Sequence, residues 1–162
     1  MIRRALSIAA LFFACGCGNP DGAKNVLEGS LSVVMDLGWD RCNIEITQDD
    51  VAVTLIRVKG QLQDVTLKVD YSLLGQTLNT PSTVDLAEIR ADTMKPRGQV
   101  SRQTQGDPRT SFPDIVMGQL VFFDNIKAGA HVHGQFNARF ADGIEFANGR
   151  TVYGPFDAVM PP

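Results

Sequence analysis

Apolar and polar residues alternate with a period of two in many short stretches of this chain, which predicts β-strands that bury one face. Turn residues separate these stretches at intervals typical of all-β sandwiches and barrels. The stretches number about eight and lie at 29–37, 42–46, 51–59, 65–71, 83–92, 115–123, 132–140 and 152–160. Because no long apolar stripe with a period of 3.6 appears, we predict a single antiparallel β-sandwich, with a small β-barrel as the alternative.

Four of these stretches carry further information. Residues 51–59 are apolar on both parities near their middle, which indicates a central strand or a bulge that switches faces. Residues 115–123 are apolar on both faces and are therefore expected to be central or covered on both sides. Pro155 restricts 152–160 to an edge or bulged strand, because proline donates no backbone hydrogen bond. For residues 83–92, a short helix is the alternative to a strand.

Residues 94–113 show no alternation and contain three prolines and two glycines, which predicts a long loop. The loop is basic within an acidic chain, since it carries four cations and a single acid, Asp107. One interpretation is contact with an anionic surface, such as lipid headgroups or a polysaccharide; the other is a solvated, mobile loop. The four candidate contact residues are Lys95, Arg97, Arg102 and Arg109.

The N-terminus has the features of a secretory signal peptide. Arg3 and Arg4 precede about ten apolar residues, at 5–14, and this run is too short to span a bilayer as a helix. The end of this run and the next residue, Leu11-Phe12-Phe13-Ala14-Cys15, resemble the lipobox of bacterial lipoproteins, in which a peptidase cleaves before a cysteine that becomes lipidated. This resemblance implies lipidation at Cys15, with Cys17 as the alternative, while an ordinary signal peptide is the simpler interpretation.

Lipidation implies a stable membrane anchor, because two or more acyl chains bind a bilayer far more durably than one. Neither Gly16 nor Gly18 is the aspartate that retains some bacterial lipoproteins at the inner membrane, so we expect the outer membrane of the cell envelope. The predicted organisation is a signal peptide and lipobox at 1–16, a short tether at 17–28 and a β-sandwich domain at 29–162.

Charge and cysteine content limit the partners. Loss of Arg3 and Arg4 leaves 13 of the 15 basic residues against 18 acidic ones, a net charge of about −5, which argues against nucleic acid. If Cys15 is lipidated, Cys17 and Cys42 can form a disulfide in an oxidising compartment. We favour the alternative in which Cys42 is a small buried apolar residue.

His131 and His133 are the best candidates for chemistry. Residues i and i+2 of a strand share a face, so the two imidazoles can bind one metal ion. Residues 129–134 (GAHVHG) resemble the copper-ligand strand of copper/zinc superoxide dismutases, but the chain has two histidines in all, too few for that site. The same face carries Gln135, Asn137 and Arg139, so exposed histidines without a ligand are the competing interpretation.

The sequence contains no motif for nucleophilic catalysis, for phosphate binding or for dinucleotide binding. Trp39 is either a stacking platform for a ligand or, as is more usual for a lone tryptophan near a strand end, a cap on the core. We therefore predict an envelope lipoprotein with a non-enzymatic binding or structural domain and no cofactor, whose partner is an envelope protein or an anionic polymer. The alternative is a carrier of a small ligand or metal ion that uses a barrel cavity or the histidine pair.

Overall fold

A computed structural model describes residues 25–144 and 146–160, and these residues fold almost entirely as strands. Eight strands have four or more residues, in agreement with the number predicted. The strands are β1 (Asn25–Val26), β2 (Gly38–Trp39), β3 (Arg41–Ile46), β4 (Asp50–Lys59), β5 (Leu62–Ser72), β6 (Ser82–Asp85), β7 (Gly98–Gln103), β8 (Thr110–Ser111), β9 (Ile115–Phe122), β10 (His131–Phe140) and β11 (Thr151–Val159). Within the described residues, no helix has the length and apolar content needed to cross a bilayer.

The strands form two main antiparallel sheets and a small ribbon. One sheet has the order β11-β10-β9-β6, and the other has the order β3-β4-β5-β7-β8. Strands β1 and β2 pair separately. The sheets are not closed into a barrel, so the all-β sandwich prediction is confirmed and the small β-barrel alternative is wrong.

The core lies between the inner faces of the two sheets. Phe122, Phe136 and Phe156 contribute from the four-stranded sheet, while Leu55 and Val69 contribute from the five-stranded one. All five side chains are almost fully buried. Burial of each such side chain stabilises the fold by about 1.5–3 kcal/mol, so the alternating pattern supplies much of the driving force for folding.

Three positional predictions are confirmed. Strand β4 lies between β3 and β5 and has a register shift between Leu55 and Ile56, so it is both central and bulged. Strand β9 is central, between β10 and β6. Strand β11 is an edge strand, and Pro155 lies within it.

The strand predicted at 29–37 is wrong. Residues Ser30–Val33 form a 3-10 helix, and Val33 is 79% exposed although the pattern placed it inside. Gly29 has φ 117°, and a Cβ there would collide with the backbone of Thr151. Because of this turn, Leu31 is buried in the core although residues 29–37 do not form the predicted strand.

The continuous loop predicted at 94–113 is also wrong. Strand β7 runs through it, pairs with β5, and buries Val100 and Ser101. The buried serine, together with neighbouring polar residues, hid the period-two signal.

At the other end of the domain, residues 25–28 were predicted to be tether but belong to the folded body. Leu27 is buried, and Glu28 pairs with Tyr153. Residues 1–24, which contain the predicted signal peptide and lipobox, lie outside the described residues.

Candidate metal site

The hairpin of β10 and β11 gathers three potential metal ligands on the outer face of the four-stranded sheet. Its register places His133 directly opposite Asp157, with His131 two residues earlier on the same face. One ligand atom from each of these three side chains lies within 4.8 Å of the others. The separation of Nδ1 of His131 from Oδ1 of Asp157 is 3.3 Å, and that of Nε2 of His133 from the same oxygen is 3.9 Å.

Strict alternation along β10 holds the two imidazoles on this face. Every second residue from Val132 to Phe140 is buried, while the residues between them are exposed. Gly134 has an inner position where a Cβ would collide with the Phe156 ring and the Val121 carbonyl. Strands β9 and β11 thus both pack closely against β10 at this glycine. His133, the preceding residue, points to the opposite, solvent-facing side of the sheet.

Asp124 orients His133 from behind. Its Oδ2 accepts a hydrogen bond from the His133 backbone amide at 2.8 Å and lies 2.7 Å from Nδ1 of the imidazole. A proton on Nδ1 leaves the lone pair of Nε2 free on the side nearer to Asp157. A carboxylate that holds the second nitrogen of a histidine in this way is a recurrent partner of metal-binding histidines.

The electrostatics of the site follow from these carboxylates. The hydrogen bond that His133 donates to Asp124, with a further contribution from the charge of Asp157, raises the pKa of His133 above its ordinary value. Hydrogen bonds from the amide and side chain of His133 in turn lower the pKa of Asp124. All four side chains of this group are substantially exposed, so ions in solution have access to it.

Three protein ligands of this type suit a transition-metal ion. Two imidazoles and one carboxylate match the donors that Zn²⁺ and Cu²⁺ accept, and three ligands leave at least one coordination position open. The predicted pairing of His131 and His133 on one face is thus present, with ring centroids 6.2 Å apart and nearly parallel rings. The predicted solvent exposure of this face is present as well.

A groove adjoins the histidines. The edge strands β3 and β11 contact each other, and residues from both line an open space of about 810 Å³ that also reaches His131 and His133. Trp39 lines this groove and is only 4% exposed, so it belongs to the core, as the simpler prediction had it.

Cys42 lines the same groove and is packed against the hydrophobic core. Burial, reinforced by the negative charge of Asp157, raises the pKa of its thiol to about 12. The side chain is therefore a protonated thiol at neutral pH, in keeping with the prediction of a small apolar residue. Its predicted alternative partner, Cys17, lies outside the described residues, as does Cys15.

The four basic residues predicted to contact an anionic surface are not gathered into one patch. Arg97 is engaged by Glu88, with Nε 3.0 Å from Oε1, and Lys95 Nζ lies 2.7 Å from Asp114. Arg102 lies over the ring of Phe146, while Arg109 is exposed in the connection between β7 and β8.

The groove next to Lys95 and Arg97 contains carboxylates as well as cations: Asp50, Asp70 and Asp114. This mixture of charges gives no concentrated positive surface at that point. Contact between the four basic residues and an anionic surface stays a prediction.

Sequence reasoning missed Asp124 and Asp157. Asp124 directly follows the predicted strand at 115–123, and Asp157 lies in the predicted strand at 152–160, whose register with its neighbour cannot be read from the sequence. The signal for Asp157 was its parity with Pro155 and Val159, which places all three on one face of β11. The ten residues between β10 and β11 prevented the register from being counted back from a tight turn.

Comparison with protein-family models, with curated proteins and with solved structures finds no match to this chain.

Proposed function

We propose that this chain is a lipid-anchored protein of the bacterial cell envelope whose β-sandwich binds a divalent transition-metal ion without catalysing a reaction. The observation that carries the proposal is the convergence of His131, His133 and Asp157 to within 4.8 Å. The sequence predicts a binding domain, and this cluster of side chains favours a metal ion as its ligand. We therefore prefer the metal-carrier alternative to a binding domain for an envelope protein or polymer.

The chemistry of the donor set favours Cu²⁺ and Zn²⁺. Imidazole nitrogen suits both ions, and Cu²⁺ binds a given nitrogen and oxygen site more tightly than the other divalent first-row ions. Asp124 supports the site because it fixes the protonated nitrogen of His133. The exposure of the ligands favours reversible exchange with ions in the surroundings over permanent structural binding.

A binding role is favoured over catalysis because the chain has no nucleophile–base motif and only the two histidines of the metal site. Any histidine-dependent acid–base step would have to use the same two imidazoles that bind the ion. Cys42 is an unsuitable nucleophile because its thiol stays protonated at neutral pH.

Membrane attachment is proposed from the lipobox resemblance at 11–15. Asn25, the first described residue, lies ten positions after Cys15, and an extended chain spans at most about 3.3–3.6 Å per residue. The anchor thus keeps the start of β1 within about 35 Å of the lipid surface. Asn25 itself lines the groove beside the metal site, so the proposed site lies near the membrane.

Calorimetric titration of Zn²⁺ and Cu²⁺ into the full chain, extracted in detergent and free of any histidine tag, tests metal binding. We expect one ion per chain, with the affinity reduced at least about 100-fold in the double variant His131→Ala/His133→Ala, because removal of a residue that only hydrogen-bonds to a metal-binding histidine already costs about 10–100-fold. Gln135→Ala is the matched control, since it changes the next exposed residue on the same face of β10. Equal affinity of the double variant and the wild type would exclude this site.

Intact mass of the chain extracted from membranes tests the anchor separately. The proposal predicts the mass of a chain that begins at Cys15 or Cys17 with acyl groups attached. An unmodified mature chain in the soluble fraction would contradict the anchor and leave the metal-binding proposal standing.

A further inference from the structure

The groove beside the metal site has the size of a small-molecule site. Its volume of about 810 Å³ lies in the range of 300–1,000 Å³ that is typical of ligand pockets. It is open to solvent between the edge strands β3 and β11. Its lining includes the large apolar side chains Phe123 and Val159, which are 54% and 58% exposed.

These two apolar side chains flank the metal ligands. Val159 pairs with His131 across the β10–β11 ladder, and the amide of Phe123 donates a hydrogen bond to the His133 carbonyl at 2.9 Å. An ion held by the histidines is therefore bordered on both sides by apolar surface. A ligand that reaches the ion from the groove can lay an apolar body against this surface.

Charge in the groove depends on the metal ion. Asp40, Asp157 and the neighbouring Asp124 supply negative charge, which opposes the entry of an anion. Arg41 supplies positive charge, and its exposed guanidinium makes no ion pair with any residue in the described part of the chain. A divalent cation on the histidines adds two positive charges, which offset the net negative charge of the three aspartates and Arg41 and give an anion a positive centre to coordinate.

The buried side chain of Trp39 borders the groove. Its indole Nε1 is buried and has no hydrogen-bond partner among residues 25–144 and 146–160. A buried donor without a partner is uncommon in folded proteins. The residue also lines the groove, so a molecule seated there lies close to this indole.

We propose that the groove binds a small organic carboxylate in a metal-dependent manner. The carboxylate occupies an open coordination position of the ion at His131, His133 and Asp157, and the apolar part of the ligand lies against Phe123 and Val159. Arg41 adds an attractive charge at the mouth of the groove. This inference rests on the metal-binding function proposed above and names the molecule that the bound ion recruits.

The single tryptophan of the chain makes the groove directly observable, because all tryptophan emission comes from Trp39. The experiment titrates hexanoate into the full chain, first without metal and then saturated with Zn²⁺, and follows this emission. Hexanol, which has the same apolar body without the charge, is the matched probe. Calorimetry on the same samples measures Zn²⁺ binding independently.

We expect hexanoate to change the emission of the Zn²⁺-loaded chain and to bind at least tenfold more weakly without the ion, while hexanol has little effect in either state. Arg41→Gln should weaken hexanoate binding about fivefold, the effect of one exposed charge pair. Because binding energies couple reciprocally, hexanoate should increase the affinity for Zn²⁺ by the same factor as Zn²⁺ increases that for hexanoate.

The outcomes separate the two proposals. If Zn²⁺ binds but hexanoate does not, the carboxylate proposal is overturned and the metal site stands. If hexanoate binds equally well with and without Zn²⁺, or equally well to the His131→Ala/His133→Ala variant, coordination of the carboxylate is overturned. If Zn²⁺ itself fails to bind in calorimetry, the metal-binding function falls, and this inference falls with it.

Discussion

The histidine pair on β10 and the basic residues at 95–109 are both clusters of polar side chains in the sequence. Folding keeps the first cluster together and disperses the second. His131 and His133 stay together and acquire Asp157 and Asp124 as neighbours. The basic residues separate, and folding provides Arg97 and Lys95 with carboxylate partners.

The difference comes from backbone periodicity. Within a regular strand, residues i and i+2 face the same side, so a histidine pair two residues apart converges wherever the strand lies. Residues 95–109 pass through a turn, the strand β7 and a second turn, so their side chains leave in different directions. Proximity in sequence is therefore a good guide to a site on a strand and a poor one across turns.

The largest effect should come from Arg97→Ala, which tests whether the basic segment is structural. Nη1 of Arg97 donates hydrogen bonds to the carbonyl oxygens of Ser72 and Leu74, each at 3.1 Å, and its Nε faces Glu88. Loss of these interactions should lower the free energy of unfolding by about 2–3 kcal/mol, as expected for hydrogen bonds to a charged group. Chemical denaturation measures this change.

Arg109→Ala is the control for that experiment. Arg109 is exposed in the same segment, and its removal should change stability by less than about 0.5 kcal/mol. Zn²⁺ affinity should be unchanged in both variants. Equal stability of the Arg97 and Arg109 variants would show that the segment is not anchored through Arg97.

A smaller effect is expected from Asp124→Asn, which tests how far metal binding by the histidine pair depends on its supporting carboxylate. The asparagine keeps the shape of Asp124 but lacks the charge that fixes the Nδ1 proton of His133. Metal affinity should fall about 10–100-fold, as is typical for loss of a carboxylate that hydrogen-bonds to a metal-binding histidine. Zn²⁺ calorimetry would measure the loss, and an affinity equal to that of the wild type would remove Asp124 from the site.

The smallest effect concerns acid stability and Glu88. Burial alone would raise the pKa of Glu88, but hydrogen bonds from Gln76, Arg97 and Tyr71 hold it below its ordinary value. A carboxyl whose pKa is lower in the folded state contributes stability above its unfolded pKa, near 4.3, and loses this contribution as the pH falls through its folded pKa.

Glu88→Gln should therefore reduce the fall in the free energy of unfolding between about pH 5 and pH 3. The reduction should be less than about 1 kcal/mol because the carboxyl group is partly exposed. Denaturation curves at pH 7, 5 and 3 for this variant and the wild type would show the difference. A parallel pH dependence in the two proteins would contradict the role of Glu88.

Much of the fold could be predicted from local patterns. Apolar residues alternate along β3, β5, β10 and β11, apolar residues on both faces indicated β4 and β9, and Pro155 correctly indicated an edge. Strand β7 could not be found in this way, because Ser101 is buried and the flanking residues are polar. Its place is decided by pairing with β5, which is a contact distant in sequence.

The candidate site was half predictable for the same reason. His131 and His133 are local to one strand, whereas Asp157 and Asp124 reach them through the β10–β11 register and through the turn after β9. No local sequence pattern indicates that either aspartate lies near the histidines. The sequence therefore indicated a pair of ligands, and the tertiary structure supplied the third ligand and the supporting carboxylate.

The most direct test of the metal site is nitrogen-15 NMR of the two imidazoles during titration with Zn²⁺. The chain has only two histidines, so an untagged sample contains only the two imidazoles in question. The account predicts that the metal-free His133 carries its proton on Nδ1, and that one equivalent of Zn²⁺ shifts ring nitrogens of both histidines together. Spectra in which neither imidazole responds to Zn²⁺, or only one does, would contradict it.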